Sequence, residues 1–139
     1  MKAIYIQVTD EIEKMSAMNL YCDSESTMNQ LEDIQAVVGN KGERLLKAKL
    51  KEKYEHIKEV YDAIKTGYVL NLQFTKKMNL IVVPYFLTED PNLLYSFSVS
   101  WDKMGVHATK KYFKTFFDNV KILPFEQIEE LENETNQED

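Results

Sequence analysis

The apolar periodicity of the chain switches abruptly from helical to alternating at Gly67, and that switch leaves few architectures open. Leu46, Leu50, Tyr54, Ile57, Tyr61 and Ile64 follow one another at intervals of 4, 4, 3, 4 and 3, one face of a helix, and Gly67 ends the run. Directly afterwards the period becomes two: Leu70, Leu72 and Phe74 alternate with Asn71, Gln73 and Thr75. The stretch 78–86 is apolar on both faces, as a central strand is, and 94–101 alternates Tyr95, Phe97, Val99 and Trp101 with Ser96, Ser98 and Ser100. Short connections near Lys76-Lys77 and at 88–92 make these three runs an antiparallel meander. A fourth strand is expected at 2–9, where Ile4, Ile6 and Val8 alternate with Ala3, Tyr5 and Gln7.

Helices flank this sheet. One is expected from Ser24 or Ser26 to about Val38, with Met28, Leu31, Ile34 and Val38 on one stripe. Residues 10–25 before it read as either a short strand around 18–22 or a helical turn. Gly39-Asn40 separates that helix from the long one, where Asn40 and Glu43 have the spacing of a capping box. Val106, Tyr112, Phe113, Phe116, Phe117 and Val120 return to helical period, and Pro124 sits where a last helix can begin, with Phe125, Ile128 and Leu131 on one side. The pattern predicts an α+β fold: an antiparallel sheet of three to four strands, a central meander plus the N-terminal strand, with helices packed on one face. Residues 1–131 are expected to form one domain and 132–139, without an apolar residue, a disordered acidic tail.

Totals narrow the function classes. The chain has 139 residues, which suits one core. It has a single cysteine, Cys22, so no internal disulfide, and neither a signal-like start nor an apolar run of membrane-spanning length. A cytoplasmic protein with no membrane contact is expected. Arg44 is the only arginine among 17 basic residues. That leaves one side chain able to make planar, two-pronged bonds to phosphate or guanine. The net charge of −6 is unevenly spread. Residues 10–33 carry −6 from Asp10, Glu11, Glu13, Asp23, Glu25, Glu32 and Asp33 against Lys14. Residues 34–53 carry +4, 102–121 carry +3, and 122–139 carry −7.

Reactive constellations are sparse. His107-Ala108-Thr109 resembles the His-x-Thr element of two-histidine phosphoesterases, which need two copies; the other histidine, His56, is followed by Ile57-Lys58. Glu52, His56 and Glu59 share a helical face at i, i+4 and i+7, a spacing that can ligate a divalent ion, yet no second cluster completes a site. Cys22 has no recognisable base partner, and no glycine-rich loop follows a strand. No cofactor, metal site or catalytic residue is therefore assigned, and the balance leans away from an enzyme.

What remains is surface. Asn71, Gln73, Thr75, Ser96, Ser98 and Ser100 would form a neutral, hydroxyl-rich sheet face, which another surface can approach with little charge to desolvate. Tyr5, Tyr21, Tyr68 and Tyr85, in or near the strands, would add amphipathic contacts. The expected function is a non-catalytic protein-binding module. The kind envisaged is a small inhibitor, antagonist or immunity-type factor that occludes a larger macromolecule, with a host or cognate protein as partner. The lysine-rich, arginine-poor composition matches phage and mobile-element products of AT-rich bacteria. The first alternative is a nucleic-acid-binding accessory protein using Lys41, Arg44, Lys47, Lys49, Lys51 and Lys53 along one helix. The second is a small-ligand or nucleotide-binding protein, or a phosphoesterase-like enzyme. A homodimer is compatible with each.

Overall fold

A computed structural model describes residues 1–38, 67–86 and 90–134, with side chains described outside 30–38. The elements in chain order are β1 (Lys2–Ile6), α1 (Glu11–Val38), β2 (Tyr68–Phe74), β3 (Leu80–Phe86), α2 (Pro91–Ser100), a π-helical turn (Trp101–Gly105), α3 (Val106–Phe113), β4 (Val120–Pro124) and α4 (Phe125–Glu134). The strands form one antiparallel sheet in the order β2-β3-β1-β4, so the fold is α+β as the periodicity predicts. The expected helix at 43–64, with the Gly39-Asn40 break before it, lies outside the described residues.

Ile4, Ile6, Leu72, Leu80, Val82 and Val120 point to one side of the sheet, where Ala17 of α1, Trp101, and Val106 and Phe113 of α3 close the main core. Ala3 and Tyr5 point to the other side, under Ile128 of α4, with Ile81, Val83, Leu123, Phe125 and Leu131 packed around them. The last helix thus covers part of the face that the sequence left open, and β1 is buried from Ala3 to Ile6 because both its faces are roofed.

Several local expectations are corrected. Helix α1 begins at Glu11, well before Ser24, and runs through 18–22. Asp10 accepts a hydrogen bond from the Glu13 N–H at 2.8 Å, the N-terminal half of a capping box, so the chain has no need of a serine cap. The run 94–101 is not a strand. Asp90 accepts from the Asn92 N–H at 2.9 Å with Pro91 in the first turn, and that cap overrides the alternation. Leu93, Phe97 and Trp101, four apart, already carried the competing helical period. Helix α3 stops at Phe113, where the Phe116 and Phe117 N–H groups both bond the Phe113 carbonyl, and the reversal makes Val120 the start of a strand. Pro124 closes that strand, and α4 begins one residue later. Glu132 to Glu134 belong to α4, and residues 135–139 of the expected tail lie outside the described residues.

Two points of backbone chemistry shape the sheet. Pro84 of β3 has no N–H to donate, and the β1–β3 ladder ends at Ile4↔Val82. The backbone of Lys2 finds other partners: its carbonyl accepts from Trp101 Nε1 at 2.8 Å and its N–H donates to Asp102 Oδ1 at 2.9 Å. The π turn sets Trp101 there, with the indole fully buried and 5.3 Å from the Tyr68 ring. A Cβ on Gly105 would stand 2.6 Å from the Tyr68 hydroxyl oxygen, so glycine lets the turn close. Between β2 and β3 a tight loop places Met78 at φ 64°, a left-handed position usually held by glycine or asparagine. Met78→Gly is expected to raise stability by about 0.5 kcal/mol, because the strain removed exceeds the entropy added to the unfolded chain. A urea midpoint that falls would contradict this.

Candidate interaction surface

Edge strand β2 and helix α1 enclose a groove. Leu70 faces Pro84 across the β2–β3 ladder and cannot exchange a pair of hydrogen bonds with it, so the polar groups of Leu70, Leu72 and Phe74 point outward. Ser24 of α1, buried, satisfies the first of them. Its hydroxyl donates to the Leu70 carbonyl at 3.3 Å and accepts from the Leu72 N–H at 2.9 Å. The next outward pair, the Leu72 carbonyl and the Phe74 N–H, has no partner among the described residues and borders an open groove of about 370 Å³.

Tyr21, Glu25, Met28 and Asn29 form the helical wall, and residues 71–74 form the strand wall. The Tyr21 ring lies 4.9 Å from that of Phe74 at a tilt of 50°, and its hydroxyl donates to Glu25 Oε1 at 2.6 Å. That bond to the carboxylate is the main reason the Tyr21 hydroxyl is harder to ionise than usual. The groove therefore presents one carboxylate, three amide side chains, a backbone donor and acceptor without a partner among the described residues, and an apolar floor. No basic side chain lines it among the described residues.

A second polar cluster lies on the opposite sheet face, beneath α4. The Tyr5 hydroxyl donates to Glu132 Oε2, and Asn79 Nδ2 donates to both, at 3.1 Å to each. Lys77 Nζ donates to the Leu131 carbonyl at 3.3 Å, near the end of α4, where a cation suits the helix dipole. Burial first, and then the bond to Glu132, push the Tyr5 hydroxyl up to about 12. Burial also pushes the Glu132 carboxyl upward, but Tyr5, Thr75, Asn79 and the Lys77 backbone outweigh it and hold the group below the usual carboxylate range. Both shifts lead away from neutrality. Tyr5 stays a neutral donor and Glu132 an ionised acceptor, an arrangement that fastens α4 and moves no proton near pH 7.

The pH dependence follows with definite sign. Glu132 stabilises the fold above the ordinary carboxylate value, and that contribution is lost as the pH falls through its lowered folded value. Tyr5 contributes fully below pH 10 and loses its contribution as the pH rises toward about 12. Urea midpoints should be flat through neutrality and fall at both extremes. Tyr5→Phe should shallow the alkaline fall and Glu132→Gln the acid one; unchanged limbs would show that the cluster is not coupled to folding.

The six neutral residues expected on one sheet face are not brought together. Asn71 and Gln73 lie on β2 and line the groove, and Thr75 follows them, accepting the Asn79 N–H at 3.1 Å near the second cluster. Ser96, Ser98 and Ser100 lie on α2, because that segment is helical. Of the tyrosines, Tyr5 is buried in the cluster, Tyr21 lines the groove, and Tyr68 and Tyr85 are half-buried. His107 is exposed in the first turn of α3, while Thr109 is buried and donates to the Gly105 carbonyl at 2.7 Å, so the tripeptide does not converge on a common point. Lys41, Arg44, Lys47, Lys49, Lys51 and Lys53 lie outside the described residues, as do Glu52, His56 and Glu59. Among the described residues no group of three potential metal ligands is found, and no helix is long and apolar enough to cross a membrane.

Sequence reasoning named Tyr21 as a contact residue near a strand but missed its alignment with Glu25 and Asn29, whose four-residue spacing marks one helical face once α1 is known to start at Glu11. Tyr5, Asn79 and Glu132 carry no local signal, being 74 and 53 residues apart in turn. Comparison with protein-family models, curated proteins and solved structures finds no match to the chain.

Proposed function

We propose that the chain is a non-catalytic protein-binding module that occludes a larger partner, and that it binds through the groove at the edge of β2. The supporting observation is the outward-facing Leu72 carbonyl and Phe74 N–H beside that groove, which have no partner among the described residues. An edge strand with free backbone groups is a ready template for a second chain, and the flanking amides cost little to desolvate. The two polar clusters do not argue for chemistry: Tyr21 and Tyr5 both bond carboxylates, and both are held in their neutral form. An inhibitor or immunity-type role, with a host or cognate protein as target, is the form of this function that the small size and patchy charge favour.

The test is affinity capture from the source cell with the wild-type chain and with Asn29→Lys/Gln73→Lys, which charges both exposed walls of the groove. One stoichiometric protein, retained at least ~10-fold less by the variant, is the expected result. Equal capture by both forms would overturn the site. Nucleic acid recovered in place of protein, and lost when Lys47, Lys49, Lys51 and Lys53 become glutamate, would replace the function with the lysine-rich alternative.

A further inference from the structure

Two helices on the same side of the sheet each carry an exposed apolar stripe, and the stripes are opposite in charge. On α1, Ile12, Met15 and Met18 are 78%, 69% and 46% exposed, on the side opposite the buried Glu13, Ala17 and Ser24. Exposed Asp10, Glu11, Asp23 and Glu25 surround them, against Lys14, which Glu11 already engages at 3.2 Å. On the π turn and α3, Met104, Ala108, Tyr112 and Phe116 recur every four residues. Met104 is 68%, Tyr112 50% and Phe116 43% exposed, and the Tyr112 and Phe116 rings meet edge-on at 5.4 Å. Lys103, Lys111 and Lys114 stand exposed beside this second stripe.

Large apolar groups aligned along a helix and rimmed by charge have the composition of an interface, with methionine adapting its shape to what it meets. Like charge opposes pairing either stripe with its own copy, whereas each complements the other. The geometry points to self-association in which α1 of one copy docks on α3 of a second. Both helices cover the same sheet face, so a two-fold axis lets the contact occur twice: α1 on the partner's α3, and α3 on the partner's α1. The stripe of Ile12, Met15 and Met18 lies outside the β2 groove and meets it only at Glu25, and the association does not depend on what that groove binds.

Sedimentation velocity between ~1 and ~500 μM, at low and at ~0.5 M salt, measures the association. The wild-type chain should move from monomer to dimer with concentration, and high salt should shift the equilibrium toward monomer. Met15→Lys sets a cation against the lysines of α3, and Met104→Glu sets an anion against the acids of α1. Both positions are exposed, and each variant alone should stay monomeric, with its melting temperature matching the wild type's at ~1 μM, where both are monomers. An equimolar mixture of the two should recover a 1:1 complex at least ~10-fold tighter than either self-association. In that complex one α1–α3 contact is unaltered, and the other sets the introduced ammonium against the introduced carboxylate. A wild-type chain that stays monomeric throughout overturns the proposal. So does a dimer that both variants leave intact, or a mixture that fails to associate; a foreign protein released by Met15→Lys while the wild type remains monomeric would assign the α1 stripe to that partner instead.

Discussion

Gly67→Ala is expected to cost about 3 kcal/mol of stability. Two independent effects converge on the position. Gly67 sits at φ +85°, where a Cβ alone costs about 1–2 kcal/mol. That Cβ would also stand 2.7 Å from Phe97 Cζ and 2.8 Å from two further ring atoms, so the ring must move off its packing position on α2. The two effects separate in a double variant. Phe97→Leu added to Gly67→Ala should recover the contact share and leave the backbone share. Urea denaturation of the four proteins closes the cycle. A loss below about 1 kcal/mol would mean that neither the turn nor the ring is rigidly placed.

Glu13→Ala should lower stability by a similar amount, about 2–3 kcal/mol. This carboxylate, 5% exposed, joins three parts of the chain. Its Oε1 accepts from the Thr9 N–H at 3.1 Å and from the Thr9 hydroxyl at 2.9 Å, and its Oε2 accepts from the Asp118 N–H at 2.9 Å. Alanine leaves those donors without an acceptor, two of them peptide groups, at the point where β1 turns into α1 and the chain enters β4. Glu13→Gln is the sharper variant. It keeps one acceptor oxygen but sets an amide N–H against an N–H, so roughly half the loss should remain. If glutamine and alanine cost the same, the carboxylate acts by charge alone.

The parts of the fold legible in the sequence are those whose signals are local and uncontested. The alternation around Ile4 and Leu72 and the doubly apolar run at 78–86 led to β1, β2 and β3. Segment 91–100 was not legible in the same way, because two periods coexist in it. Serine at every second position imitates a strand, and only Asp90-Pro91 at its head decides for a helix. Strand β4 was hidden by its brevity and by aromatic residues that carry helical spacing through 113–117. The candidate groove was half legible: Asn71 and Gln73 stood out as neutral positions on a strand. Its other wall depended on knowing that 11–29 is helical. The cluster of Tyr5, Asn79 and Glu132 could not be found from spacing at all, since its members meet only through the sheet order.

That sheet order has a kinetic consequence. Hairpin β2–β3 closes a loop of a few residues and can form as soon as it is made, but β1 pairs with β4 through contacts such as Ala3↔Leu123. Closing a loop of that length costs on the order of 4 kcal/mol of chain entropy before any contact repays it. The first of the four strands to be synthesised can pair with β3 once the hairpin is made, but its other edge stays open until β4, the last of them, has left the ribosome. Folding should be late and slow relative to chain length, and the interval before β4 arrives is when the molecule is most exposed to aggregation.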